Sequence, residues 1–197
     1  MSEHDVSGWQ PPVFIISGAQ AEGKTTFMMD VLTRLDTHQI HVRGIVAPGY
    51  FTNGVRSGFS VIDVATGTGM ELCSDVPSPG SEQHARYYFR PEGLAFGRRT
   101  LLISPGHDVT DLIVIDEVGR FDVRGALWGG CIDQLVKKCH PPMIWNVRNE
   151  FVQMVITRWP MIRPVVLKLG SIDVEEVAEE ILNEIRIYRS QSGSPDL

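Results

Sequence analysis

The chain contains one diagnostic stretch, Ser17-Gly18-Ala19-Gln20-Ala21-Glu22-Gly23-Lys24-Thr25-Thr26. The apolar, β-branched run at residues 13–16 precedes it and predicts a strand. Apolar residues at helical spacing within 27–35 predict a helix directly after it. A strand, the pattern G-x-x-x-x-G-K-T and a helix, in that order, form the context in which such a loop binds phosphate groups.

Each residue type in this loop has a physical role in binding a phosphate chain. Gly18 and Gly23 let the backbone approach phosphate oxygens closely, because they carry no Cβ. The N–H groups of the loop and of the first helical turn point at the anion, with the helix dipole behind them. Lys24 supplies a positive charge for the β- and γ-phosphates, and the Thr25 hydroxyl is a ligand for Mg²⁺. The predicted phosphate-contacting residues of a nucleotide site are therefore Gly18, Ala19, Gln20, Ala21, Glu22, Gly23, Lys24, Thr25 and Thr26.

A continuous apolar run at residues 112–115 ends in the acidic pair Asp116-Glu117. Such a run without alternation predicts a strand covered on both faces, as in a parallel sheet. Ligands bind beyond the carboxyl ends of parallel strands, so we expect the acidic pair to meet Lys24 and Thr25 at one edge. Asp116 is predicted to serve the same Mg²⁺ as Thr25, either as a direct ligand or through a group that binds the metal. Glu117 is predicted to orient or deprotonate the attacking water.

Phosphoryl transfer also needs a cation near the transferred group, often an arginine. The candidates are Arg56 in a predicted hairpin, Arg120 just after the acidic pair, and Arg148 after the predicted strand 143–147. Arg148 has the best predicted position, because its strand should lie near the centre of the same sheet edge. The predicted catalytic residues are thus Glu117, Lys24 and Arg148.

The other segments alternate between strands and helices. Further strands are predicted at residues 41–47, 59–64, 70–73, 87–89, 143–147 and 164–169, and helices at 91–102, 126–138, 150–158 and from 173 onward. Asn53-Gly54 is a strong hairpin signal, so an antiparallel β insertion is expected there, followed by a loop at 75–83. The predicted fold class is α/β, with three α/β/α layers around a mostly parallel sheet and a small antiparallel β-hairpin insertion.

Length and composition set the remaining expectations. The 197 residues suit one domain, with residues 1–12 and 190–197 as flexible tails. The net charge of −6 argues against a nucleic-acid partner. Apolar runs shorter than the ~20 residues of a membrane span, and a start without signal-peptide features, predict a cytoplasmic protein without a membrane partner. Cys73, Cys131 and Cys139 form no C-x-x-C pair and are expected to be reduced.

Four further stretches accompany the phosphate loop: Asn53-Gly54-Val55-Arg56-Ser57-Gly58-Phe59, residues 88–96, Ile115-Asp116-Glu117-Val118-Gly119 and Val147-Arg148-Asn149-Glu150. With these, the chain resembles the nucleoside-triphosphatase family of small P-loop proteins described from thermophiles and humans. The resemblance implies a RecA-like sheet, Mg²⁺ dependence and hydrolysis of ATP, GTP and other nucleoside triphosphates to diphosphate and phosphate. By position it also implies that Lys24 binds phosphate, that Asp116 serves the metal and that Glu117 serves the water.

The chain departs from the family pattern inside the phosphate loop. The interior Ala19-Gln20-Ala21-Glu22 contains less glycine than usual and places an acid beside the phosphates. Arg120 and Asp122 also differ from the residues expected after the acidic pair. These departures bear on rate and base preference.

Two other functions remain open from the sequence. A P-loop kinase for a nucleotide or small molecule would use an acceptor-phosphate clamp, for which the candidates are Arg86, Arg90, Arg98 and Arg99. A nucleotide-controlled interaction module would hydrolyse slowly and change the protection of residues 75–106 with its nucleotide state. A GTPase switch is disfavoured, because Asn146-Val147-Arg148-Asn149 is not an Asn-Lys-x-Asp motif. The identity of any protein partner is not predicted.

Overall fold

The phosphate loop joins the first strand to the first helix in the computed structural model, which describes residues 10–102, 110–137 and 140–192. The described residues form ten strands: β1 (Pro12–Gly18), β2 (Val42–Val46), β3 (Gly49–Thr52), β4 (Val55–Asp63), β5 (Gly69–Ser74), β6 (Glu82–His84), β7 (Tyr87–Phe89), β8 (Leu112–Val118), β9 (Met143–Arg148) and β10 (Arg163–Lys168). They also form six α-helices: α1 (Lys24–Asp36), α2 (Pro91–Leu102), α3 (Arg120–Val123), α4 (Gly129–Leu135), α5 (Val152–Arg158) and α6 (Val174–Ser192). A short 3-10 helix (Asn149–Phe151) precedes α5.

The sheet has a parallel half and an antiparallel half. Parallel strands follow the order β10-β1-β9-β8-β2, which is 5-1-4-3-2 when the parallel strands are numbered along the chain. This is the RecA-like order, and the predicted fold class is confirmed. Antiparallel strands β4, β5, β7 and β6 continue the sheet beyond β2, and β3 pairs with β4. Because β1, β9 and β8 are neighbours, their carboxyl ends meet at one edge.

Helices cover both faces of the central parallel strands, so β1, β8 and β9 are apolar along most of their length. In β1, Phe14 and Ile16 pack on one side with residues of α1 and α6, while Val13 and Ile15 pack on the other side. The second side is closed by residues of α2, α4 and α5. Burial on both faces explains why the strand sequences are continuous apolar runs rather than alternating ones. Among the described residues, no helix is long and apolar enough to cross a membrane.

Several predicted boundaries differ from those in the structure. The helix predicted over 126–138 begins at Gly129, because Gly125 (φ 82°) and Leu127 (φ 43°) have left-handed backbone that ends the preceding turn. The loop predicted over 75–83 ends earlier, since β6 begins at Glu82. Cys73 and Cys131 are free and buried; Cys139 and residue 138 lie outside the described residues.

Both predicted tails are shorter where the structure describes them. Pro12 is the first residue of β1 and is buried, and α6 continues to Ser192. Residues 190–192 of the second predicted tail are therefore helical. Residues 1–9 and 193–197 lie outside the described residues, and their flexibility stays a prediction.

Candidate active site

The phosphate loop ends where α1 begins. Gly23 has a φ of 97°, a left-handed conformation that favours glycine. Lys24 follows with only 4% exposure, and its ammonium donates hydrogen bonds to the carbonyl oxygens of Ala19 at 2.7 Å and Gly18 at 3.3 Å. Burial lowers the pKa of Lys24, while the charge of Glu117 opposes this effect. The lysine is thus held inside the loop, close to where phosphate oxygens would lie.

Glu22 folds back onto its own loop. Its carboxylate accepts a hydrogen bond from the backbone N–H of Ala19. A Cβ on Gly18 would lie 2.7 Å from Glu22 Oε2, so the carboxylate lies directly over this glycine. Ala21 between them has a φ of 61°, which is unusual for a residue with a side chain. The loop's own acid therefore uses a backbone donor that a phosphate oxygen could use.

The Asp116 carboxylate accepts hydrogen bonds from three separate segments at this edge of the sheet. It is fully buried and accepts hydrogen bonds from Thr25 Oγ1 at 2.9 Å, from the Ala47 N–H at 2.9 Å and from Asn146 Nδ2 at 2.7 Å. These donors belong to the first turn of α1, to the segment after β2 and to β9. The structure thus brings Thr25 and Asp116 into direct contact across 91 residues of sequence.

Asn146 is a site residue that the sequence analysis did not identify. It is buried in β9, and its side-chain oxygen has no hydrogen-bond partner among the described residues. Buried polar atoms normally have a partner, so this oxygen is available to a ligand or water. The sequence feature that could have identified Asn146 is its position as the single polar side chain within the apolar run at residues 143–147.

The donor set at this edge suits Mg²⁺. This ion prefers hard oxygen ligands and usually binds through one or two carboxylates, with phosphate oxygens and waters completing its shell. The Thr25 hydroxyl and the Asp116 carboxylate provide such ligands 2.9 Å apart. The described residues contain no group of three or more His, Cys, Asp and Glu side chains that could hold a metal ion. A metal here would therefore depend on the nucleotide for part of its coordination.

Glu117 stands on a β-bulge at the end of β8. The register between β8 and β9 shifts between Ile115 and Val118, and Glu117 has a φ of 61°. Bulges redirect side chains, and a strained backbone of this kind persists only where its surroundings hold it. The Glu117 side chain is 33% exposed. Burial and the neighbouring Asp116 raise the pKa of Glu117, whereas the charges of Arg148 and Lys24 lower it.

Arg148 connects Glu117 to the phosphate loop. Its backbone lies opposite Gly18 in the parallel register, and its Nη1 donates to Gln20 Oε1 at 3.1 Å. Its Nε lies 3.7 Å from Glu117 Oε2. The other two candidate arginines stack on aromatic rings: Arg56 lies 5.2 Å from the Phe51 ring centre, and Arg120 lies 4.8 Å from its neighbour's ring.

The arginines considered for an acceptor clamp make structural contacts. Arg90 forms an ion pair with Glu71 at 2.6 Å, and Arg98 donates to the carbonyl oxygen of Leu127 at 3.1 Å. Arg86 donates to the carbonyl oxygen of Arg56 at 2.9 Å. These three side chains do not share an anion site, so they give no support to the kinase interpretation.

A cavity of about 410 Å³ opens beside this arrangement. Gln20, Glu117 and Arg148 line one end of it. Its far wall comes from the antiparallel insertion and from the turn between α3 and α4. The cavity thus adjoins the phosphate loop on the side of Glu117.

The RecA-like sheet, the phosphate loop and the acidic strand end define a P-loop NTPase fold. The family model described as NTPase matches residues 13–182, so the chain belongs to this NTPase family. The resemblance inferred from the sequence is thereby confirmed.

Relatives in archaea are named nucleoside-triphosphatase THEP1. The name describes these relatives as hydrolases. The chain is 29% identical to the Pyrococcus abyssi protein over 176 residues, which is 88% of this chain and 92% of that protein. It is 27% identical to the Saccharolobus solfataricus protein over 109 residues, which is 55% of this chain and 61% of that protein. The match to the Korarchaeum cryptofilum protein is 30% identical and spans 56% of this chain and 55% of that protein.

Two solved structures share the fold. The solution structure of a human cancer-related nucleoside triphosphatase superposes with a TM-score of 0.66 at 18% identity, covering 90% of this chain and 98% of the other. The crystal structure of THEP1 from the hyperthermophile Aquifex aeolicus gives a TM-score of 0.63 at 16% identity, covering 86% and 98%. At these identities the likeness establishes the fold alone.

Proposed function

We propose that the chain is a Mg²⁺-dependent nucleoside triphosphatase that cleaves the γ-phosphate of ATP, GTP and other nucleoside triphosphates. The observation that carries this proposal is the 2.9 Å hydrogen bond between Thr25 and Asp116. This bond joins the phosphate loop to Asp116 at the end of β8. The next residue is Glu117, whose carboxylate faces Arg148. The names of the archaeal relatives support the same reaction.

The loop residues hold the triphosphate. Backbone N–H groups of residues 18–26 bind phosphate oxygens, and Lys24 neutralises charge on the β- and γ-phosphates. Thr25 and Asp116 hold Mg²⁺, with Asn146 fixing the orientation of the Asp116 carboxylate. The metal, when bound, polarises the γ-phosphate and offsets its charge.

Glu117 and Arg148 act on the reacting groups. Glu117 accepts a proton from the water whose oxygen attacks the γ-phosphorus, and the bond to the β-phosphate oxygen breaks. A raised pKa favours this role, because it makes the carboxylate a stronger base. Arg148 stabilises the charge on the transferring phosphoryl group.

The contacts proposed above all involve phosphate groups, so we propose that several bases are accepted. The proposed partner is a nucleoside triphosphate in the cytoplasm, without a membrane partner. Nucleic acid is not a proposed partner, since the net charge is −6.

Phosphate release from ATP, GTP, CTP and UTP tests this proposal, with Mg²⁺ or with excess chelator and without any acceptor. We expect release from several nucleotides in Mg²⁺ alone and its loss in Lys24→Ala. The matched control is Lys168→Ala, an exposed lysine at the end of β10. Tight nucleotide binding without release in the wild type would overturn the proposal.

A further inference from the structure

The cavity beside Glu117 is much larger than a single attacking water molecule. Its volume of about 410 Å³ falls in the range of small-molecule sites, roughly 300–1,000 Å³. A water molecule takes only about 30 Å³ of liquid volume. The attacking water therefore leaves most of this space unexplained.

Interlocked rings form the walls of the cavity. Phe59 and Tyr87 meet edge to face with ring centres 5.3 Å apart. His84 makes edge contacts with Phe89 at 5.3 Å and with Phe121 at 4.9 Å. All five side chains line the cavity. Such a lining suits a flat aromatic ligand, which can stack on one ring and meet the edges of others.

Trp128 lines another part of the cavity and is held in place from two sides. It is 2% exposed, and a Cβ on Gly97 would lie 2.5 Å from its ring, so glycine is required there. The backbone N–H of Trp128 donates to Asp122 Oδ1 at 2.9 Å, and the backbone N–H of Gly119 donates to Asp122 Oδ2 at 2.9 Å. The buried Asp122 carboxyl thus fixes this wall relative to the end of β8.

The charged side chains of the cavity are three arginines and two carboxyl groups. Arg86, Arg120 and Arg148 line it, against the carboxyl groups of Glu117 and Asp122. Arg148 forms an ion pair with Glu117, and the Asp122 carboxyl accepts hydrogen bonds from two backbone N–H groups. In the described part of the chain, no carboxylate lies within 4.0 Å of a nitrogen of Arg86 or Arg120.

We propose that this cavity is a second-ligand site for an aromatic or heteroaromatic anion. The ring of the ligand packs among Phe59, Phe89 and Trp128, and its acidic group binds Arg120. The cavity reaches Glu117 and Arg148, so a bound ligand excludes water from the γ-phosphate side. Ligand binding itself stands independently, whereas this kinetic consequence rests on the proposed function.

Two matched probes test the site: naphthalene-2-sulfonate and its neutral analogue naphthalene-2-sulfonamide, titrated calorimetrically into the full chain. We expect the sulfonate to bind at least about tenfold more tightly, the effect of one charge-assisted hydrogen bond. Arg120→Gln should remove this preference, whereas Arg124→Gln, an exposed arginine outside the lining, should keep it. Phe59→Leu should weaken both probes. Equal affinity for both probes in the wild type, or an unchanged preference in Arg120→Gln, overturns the proposal.

Phosphate release supplies the second readout. Saturating sulfonate should lower kcat and leave the KM for ATP unchanged, and Arg120→Gln should be resistant to it. A rise in KM alone would mean that the probe binds the phosphate loop, which contradicts the proposed placement. Absence of any phosphate release would overturn the proposed function and leave the calorimetric test of the cavity intact.

Discussion

At the scale of single residues, the left-handed backbone of Glu117 places a carboxylate beside Arg148 at the end of β8. The Asp-Glu pair after an apolar run predicts acids at the sheet edge, but a φ of 61° depends on the bulge between β8 and β9. Asn146 was missed for a related reason, because its role depends on which strands are neighbours. Sequence identifies residue types that suit phosphate and metal, whereas the contacts among them depend on strand order.

Glu22→Gln should tighten nucleotide binding. The substitution removes a carboxylate that uses the Ala19 N–H and repels the incoming phosphates. We expect the KM for ATP to fall several-fold, up to about tenfold, with little change in kcat. Steady-state kinetics with Glu92→Gln as the control, an exposed acid on α2, provide the measurement. An unchanged or higher KM would show that Glu22 does not compete with phosphate.

Asn146→Ala should weaken metal binding. Asp116 loses the 2.7 Å hydrogen bond that orients its carboxylate, and partners of this kind typically contribute about 10–100-fold in metal affinity. The measurement is the Mg²⁺ concentration that gives half-maximal phosphate release, with the exposed Gln153→Ala as control. If the Mg²⁺ requirement is the same in both variants, Asn146 does not position Asp116.

At the scale of secondary-structure elements, the strands that are buried on both faces were the easiest to predict from the sequence. Strands β1 and β8 are buried on both faces, so their continuous apolar runs identified them. Strand β6 (Glu82–His84) is polar and pairs only at the sheet margin, so the sequence predicts a loop over its first two residues, Glu82 and Gln83. The start of α4 was misplaced because the left-handed backbone at Leu127 has no sequence signature.

Asp122 links α3 to α4 and should make their stability depend on pH. Burial raises the pKa of its carboxyl to about 7, above the ordinary value of 3.8. An acid with a raised pKa contributes stability that is fully present below pH ~4 and is lost as the pH rises through about 7. The stability advantage of the wild type over Asp122→Asn should therefore shrink between pH 5 and pH 8.

Urea unfolding of both proteins at these two pH values measures this difference. Asn cannot titrate, so subtraction of the two free energies of unfolding isolates the contribution of Asp122. An advantage that stays constant or grows with pH would mean that the two backbone N–H donors stabilise the charged form more than burial penalises it.

At the scale of the whole molecule, one sheet supports two different regions. The parallel strands bring the loop, Asp116 and Glu117 to a common edge, and this half could be predicted from motifs and strand patterns. The antiparallel insertion continues the sheet and supplies one wall of the cavity. The cavity was not predicted, because its lining comes from segments with no shared motif that meet only in the fold.

The last helix is fastened to the sheet by a buried ion pair. Arg189 of α6 donates from Nε and Nη2 to the two carboxylate oxygens of Asp111, at 2.7 and 2.6 Å, just before β8. Asp111→Asn should lower the free energy of unfolding by about 3–5 kcal/mol, because removing one charge of a buried ion pair is strongly destabilising. Urea unfolding checks this value against Glu175→Gln, which removes an exposed pair with Arg34 and should cost less than about 1 kcal/mol. Equal losses in the two variants would contradict the structural role of the buried pair.

We propose that Glu117 activates water for attack on a bound nucleoside triphosphate. Single-turnover phosphate release from ATP in Mg²⁺ tests it most directly, with nucleotide binding measured on the same samples of wild type and Glu117→Gln. Glu150→Gln, an exposed acid just beyond Arg148, serves as the control. We expect Glu117→Gln to bind ATP as the wild type does and to release phosphate about 10²–10⁴-fold more slowly. Release at the wild-type rate by Glu117→Gln would contradict it.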